Sequence, residues 1–181
     1  IPQHLVPISE ADRTDTLISV RTPNLMSVPI AFEYQVREHI WQMIEILKQK
    51  GYRRVKILCH DHRDIPFAAS FEGIDYLYTE DVYTYLTFLK NTRLNVTYRL
   101  HSALPCFAFN IPAIKISYDQ RAISLLETIG MEEWNINMLK MDVIKEFTHR
   151  LNSLGDLDNL KNNLKQSKWP ELRQILVSSC N

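Results

Sequence analysis

Apolar residues are distributed along this chain in two ways: short unbroken runs, and longer stretches where they recur every three or four positions. The runs TLISV (16–20), VKILC (55–59), IDYL (74–77), NVTY (95–98) and AIKIS (113–117) are strand-length and mostly apolar without strict alternation. Such runs fit strands covered on both faces, as in a parallel sheet. Between them the spacing turns helical. Residues 31–50 place Val36, Ile40, Met43, Ile44 and Leu47 on one face and are followed by Gly51, a helix with its stop. Shorter helices are expected over 65–72, closed by Gly73, over 81–90 with Val82, Tyr85, Leu86 and Leu89 on one face, over 102–109, and over 119–129, closed by Gly130.

Five strands alternating with helices predict an α/β fold, a Rossmann-like doubly wound parallel sheet of about five strands. The commonest order for such a half is 3-2-1-4-5. That order sets the first and fourth strands side by side, so Arg21 and Arg99 project from neighbouring strand ends with His101 just beyond. Residues 1–15 mix Pro, Ser and charge without a period and read as a linker or lobe-crossing segment; 16–137 form the Rossmann-like domain; 138–181 read as a helical C-terminal tail of two or three helices packed on it. Glycines at 51, 73, 130 and 155 each fall where a predicted helix ends. None is left for a phosphate-cradling loop, which argues against dinucleotide or P-loop nucleotide binding.

Charge changes the picture little. Lys plus Arg and Asp plus Glu are 21 each, so no overall field favours nucleic acid. No apolar run approaches a bilayer span and the first residues lack a signal-peptide pattern, so a cytoplasmic protein without a transmembrane segment is expected. Cys59, Cys106 and Cys180 are widely spaced and read as small buried hydrophobes rather than a disulfide framework or a zinc knuckle.

The candidate chemistry lies at predicted strand ends. A lone Arg there is ordinarily a solvated charge, but two guanidiniums and an imidazole converging on one crevice suit a small polyanion, because Arg donates in a planar bidentate fork and His carries a proton near neutral pH. Ser102 is placed to cap the helix after the fourth strand, and a helix amino terminus beside a guanidinium favours an anion. Tyr118, Asp119 and Arg121 follow the fifth strand; Asp119 is either a crevice residue or simply an N-cap. The run His60-Asp61-His62-Arg63-Asp64 offers His60 and His62 as weak metal candidates, lacks a third remote ligand, and fits better a loop touching an acceptor or another lobe. The aromatics Tyr76, Tyr78, Tyr83, Tyr85 and Phe88 fit core packing first and a sugar-stacking platform second.

The order of residues from Tyr98 to Arg121 also resembles a known family. Tyr98-Arg99-Leu100-His101-Ser102-Ala103, then Ala108-Phe109-Asn110-Ile111-Pro112, then Ile116-Ser117-Tyr118-Asp119-Gln120-Arg121 are similar to the carboxyl-terminal pattern of the polysaccharide pyruvyl transferases: an Arg-Leu-His-(Ala/Ser) turn, a Gly-x-Pro entry to the next strand, and Tyr-Asp-x-Lys. Asn110 stands where the family usually has Gly, and Arg121 where it usually has Lys. Asn tolerates the left-handed backbone next best after Gly, and Arg keeps the charge with a different shape.

The resemblance implies the carboxyl-terminal lobe of a two-lobed enzyme of GT-B type. It implies transfer of pyruvyl from phosphoenolpyruvate, a co-substrate rather than a cofactor, to a sugar diol as a ketal in exopolysaccharide or cell-surface glycan synthesis. Arg99 and His101 would be catalytic, and Arg21, Arg99, Leu100, Ser102, Tyr118, Asp119 and Arg121 would bind substrate. The partners implied are phosphoenolpyruvate, a sugar or lipid-linked oligosaccharide acceptor and an absent amino-terminal lobe, with the isolated lobe inactive and association with the inner membrane only peripheral. A glycosyltransferase lobe gripping a nucleotide-sugar and a non-catalytic anion-binding or scaffold module remain the alternatives.

Overall fold

The computed structural model describes residues 14–179, so the linker expected over 1–15 and the thiol of Cys180 lie largely or wholly outside the described residues. Six parallel strands form one sheet in the order β3-β2-β1-β4-β5-β6: β1 Thr16–Val20, β2 Val55–Cys59, β3 Tyr76–Leu77, β4 Leu94–Thr97, β5 Ala113–Ser117 and β6 Asn135–Asn137. Every residue of β1, β4 and β5 is buried, as expected for runs that do not alternate. β1 pairs with both β2 and β4. The chain therefore winds outward in two directions from that junction, the switch point at which open α/β sheets bind ligands.

The connecting helices are α1 Ile30–Gln49, α2 Ile65–Ala69, α3 Val82–Lys90, α4 Leu100–Phe109 and α5 Gln120–Ile129; α6 Val143–Asn152, α7 Leu154–Gln166 and α8 Lys168–Ser179 follow the last strand. Val36, Ile40, Met43, Ile44 and Leu47 form the buried stripe of α1. α1 packs against α6 and α3 against α4. Right-handed crossovers place α1 and α4 on opposite faces of the sheet, because the winding reverses at β1. Among the described residues no helix is long and apolar enough to cross a membrane.

The sheet has one strand more than expected. β6 reads Asn-Ile-Asn, a sequence with little strand propensity. It is fixed by tertiary bonds: Ser117 Oγ donates to Asn135 Oδ1 at 2.6 Å, and Arg150 of α6 donates to the Asn135 carbonyl at 3.2 Å. Three helix boundaries also differ from expectation. α2, expected to run to residue 72 and stop at Gly73, ends at Ala69. Ser102 does not cap α4; Arg99 holds that position, extended at φ −108° and ψ 123°, and Ser102 lies inside the first turn. Gly155 does not end a helix but lies in the first turn of α7, whereas Gly51, Gly73 and Gly130 have positive φ at their turns. Asn110 closes α4 with φ 65°, the left-handed geometry that Asn adopts more readily than other non-glycine residues.

Candidate active site

Three strand ends converge on one crevice of about 470 Å³, lined by Arg21 and Leu25 after β1, by Tyr98, Arg99, Leu100 and His101 after β4, and by Lys115, Tyr118, Asp119 and Arg121 on and after β5. Of the residues expected at the site, only Ser102 is missing from it. Its side chain is fully buried and hydrogen-bonds the Tyr85 hydroxyl, so it ties α4 to α3 and faces away from the crevice.

Arg99 is held from several directions. Its Nε donates to the Val20 carbonyl at 2.9 Å, its backbone N–H donates to Thr97 Oγ1 at 2.8 Å, and Nη2 pairs with Asp64 Oδ2. Asp64, fully buried behind the end of β2, accepts in addition the Thr22 amide at 2.9 Å and the Thr22 hydroxyl at 3.0 Å. One carboxylate thus joins the ends of β2, β1 and β4. A guanidinium has five N–H donors, so those bonds leave Arg99 with donors for the crevice it lines. Arg21 donates Nε to the Leu25 carbonyl at 3.3 Å. Asp119 is the N-cap of α5, accepting from the Ala122 amide at 2.9 Å, and lines the crevice as well.

Lys115 forms the floor. It occupies the middle of β5 and is 1% exposed; its Nζ donates to the carbonyls of Tyr98 at 3.2 Å and Ile116 at 2.5 Å and lies 5.8 Å from the centre of the Tyr118 ring. Burial, with a smaller effect from the neighbouring Arg99 cation and against the opposing pull of Asp119, brings its pKa down to about 7. Desolvation also raises the pKa of the Tyr118 phenol.

His101 is the wall between this crevice and a second one of about 550 Å³, lined also by His60, Asp61, His62, Tyr78, Glu80, Asp81 and Tyr85. The His60 and His101 rings stack with centroids 5.7 Å apart and planes 17° from parallel, and His60 meets the Tyr85 ring edge-on at 5.1 Å. Desolvation, then the Arg99 and His101 charges, lower the pKa of His60. Among the described residues no three His, Cys, Asp or Glu side chains are grouped to hold a metal ion. His62 lies 3.5 Å from Asp61. A larger hollow of about 1020 Å³ between α1 and α6 is rimmed by Glu38 and Asp142 against Lys140 and Lys145; that mixed charge gives it no preference for anions.

Two central groups were not singled out from the sequence. Lys115 had a readable signal, a cation in the middle of the buried strand AIKIS. Asp64 was visible only as one of five polar residues in a row, since its partners Arg99 and Thr22 are 35 and 42 positions away.

The fold and the crevice define a Rossmann-like α/β domain that presents a cationic site at its switch point. The sequence model of the family described as polysaccharide pyruvyl transferase matches residues 29–120, half of the chain and all of the Arg99–His101 turn. The chain belongs to the polysaccharide pyruvyl transferase family. No curated protein and no solved structure matches it.

Proposed function

We propose that this chain is the donor-binding lobe of a polysaccharide pyruvyl transferase that takes pyruvyl from phosphoenolpyruvate and installs it as a ketal on a sugar diol. The convergence of Arg21, Arg99, Arg121 and Lys115 with His101 in one crevice carries this reading. The donor is a small molecule with a carboxylate and a phosphate, and three guanidiniums can hold both groups while the amino terminus of α4 adds its dipole. In this mechanism His101 gives a proton to the methylene carbon as a sugar oxygen bonds to the adjacent carbon. The second sugar oxygen then bonds to that same carbon as phosphate leaves with the electron pair of the breaking C–O bond; of the two hydroxyl protons released, one restores His101 and the other leaves on phosphate. General acid catalysis of such a step is worth about 10²–10⁴ in rate. His101 and Arg121 are exposed at an open rim, which leaves room for an amino-terminal lobe to close the site and contact a free or lipid-linked acceptor.

Calorimetric titration tests the donor assignment. Phosphoenolpyruvate should bind the wild-type chain, bind about tenfold more weakly to Arg121→Gln through loss of a charge-assisted contact, and fail to bind Arg99→Ala. Arg121 is exposed, so its variant keeps the test valid if the Arg99 variant does not fold. Tighter binding of a nucleoside diphosphate, or of neither anion, would overturn the reading.

A further inference from the structure

We propose that the second crevice, between the end of β2 and the amino-terminal turn of α3, is the subsite for the acceptor sugar diol, with His60 accepting the hydrogen bond of the attacking hydroxyl. The proposal rests on the donor reading above and adds the place of the other substrate.

A ketal requires both sugar oxygens to reach one donor carbon, so the acceptor must lie against the donor site and share its acid. Only a cavity adjoining His101 meets that requirement, and among the described crevices the second one does: His101 lines both. The two spaces differ in chemistry. The donor side is lined by Arg21, Arg99, Arg121 and Lys115, whereas the second side carries Asp61, Glu80 and Asp81 with aromatic rings and imidazoles. A second anion is repelled there. A neutral polyol fits, because carboxylates and neutral imidazoles accept hydrogen bonds from hydroxyls and Tyr78 offers a ring face. The volume, about 550 Å³, lies within the range of sites for small ligands.

His60 is oriented for this task by two ring contacts, the stack on His101 and the edge contact with Tyr85. Burial and the neighbouring Arg99 favour its neutral form, in which one ring nitrogen accepts. As the first sugar oxygen bonds to the donor carbon, its hydrogen passes to His60 while His101 protonates the methylene. When the second oxygen displaces phosphate, that hydroxyl's hydrogen returns to His101, and the departing phosphate takes the proton held by His60. Two hydroxyl hydrogens are lost, one to the new methyl group and one to phosphate.

The test uses the 181-residue chain with isotope-labelled histidine. Imidazole NMR signals are followed during titration with methyl glucoside, galactoside and mannoside, and separately with phosphoenolpyruvate. At least one glycoside should move the His60 and His101 signals. His60→Ala should weaken that glycoside about tenfold. Val82→Trp, at an exposed position on the rim, should block the glycoside while leaving phosphoenolpyruvate affinity unchanged. If phosphoenolpyruvate moves the His101 signal but no glycoside moves His60, or if glycoside shifts survive Val82→Trp, the subsite is overturned and the donor reading stands. If phosphoenolpyruvate moves nothing, the donor reading fails and the subsite falls with it.

Discussion

Lys115 and Lys161 are equally buried, each 1% exposed, yet the two ends of the sheet treat them differently. At the amino-terminal end of the strands, Lys161 of α7 pairs with Asp158 at 2.8 Å and donates to the Asn110 carbonyl at 3.3 Å, closing off the left-handed residue that ends α4. At the carboxyl-terminal end, Lys115 meets two carbonyls and an aromatic ring. Among the described residues no carboxylate lies within ion-pair distance of it. A buried charge matched inside the chain is part of the architecture. One that touches no carboxylate directly, with Asp119 acting on it only from a distance, gives an incoming anion at the crevice something to neutralise.

The largest effect should come from breaking the internal match that the carboxyl-terminal end does contain. Asp64→Ala leaves the Arg99 guanidinium and the Thr22 amide without their carboxylate, and should cost about 3–5 kcal/mol in denaturant unfolding. A loss below about 1 kcal/mol would mean that Asp64 does not hold the three strand ends together. Lys115 should appear next, as a pH dependence. Its folded pKa, about 7, lies below the unfolded value, so between about pH 7 and pH 10.4 the unfolded chain binds more protons. Its contribution to stability then rises with pH by up to about 1.4 kcal/mol per unit, and flattens below about pH 7 where both states are protonated. Lys115→Met should remove that rise, and parallel stability curves for the two proteins would contradict it.

The same asymmetry predicts that phosphoenolpyruvate binding at pH 8 takes up a proton, as its charge stabilises the Lys115 ammonium. Calorimetry in buffers of different ionisation enthalpy would reveal the uptake. Lys161→Met should have a smaller effect, about 1 kcal/mol, because Asp158 is half exposed and returns to water. Arg121→Gln should change stability by less than about 0.5 kcal/mol while weakening the donor, which separates a rim charge that serves a ligand from the charges that serve the fold.

Much of the architecture follows from short-range patterns. The unbroken runs at β1, β2 and β5 coincide with the strands residue for residue, and the expected order survives with one strand added. Those segments are long and apolar enough for local preference and burial to agree. β6 was not legible because Asn-Ile-Asn becomes a strand only when Ser117 and Arg150 engage it. Ser102 departs from its expected capping place for a related reason. An N-cap preference is local, but the Tyr85 hydroxyl reached from α3 offers the side chain a buried partner, and the helix starts earlier. The aromatic cluster divides in space: Tyr85 and Phe88 enter the core, Tyr76 and Tyr83 stay exposed, and Tyr78 lines the second crevice.

The sequence by itself determined the alternation of buried strands and helices, the left-handed helix exits at Asn110, Gly51 and Gly130, and the family pattern from Tyr98 to Arg121. These depend on neighbours within a few residues, where backbone sterics and periodic burial act. Only the tertiary structure decided that Asp64 faces Arg99, that Lys115 is buried with carbonyls beneath Tyr118, and that His60 stacks on His101 as the wall between two crevices. Those relations join residues far apart in the chain, and the chemistry of each group depends on what the folded sheet leaves beside it once water is gone.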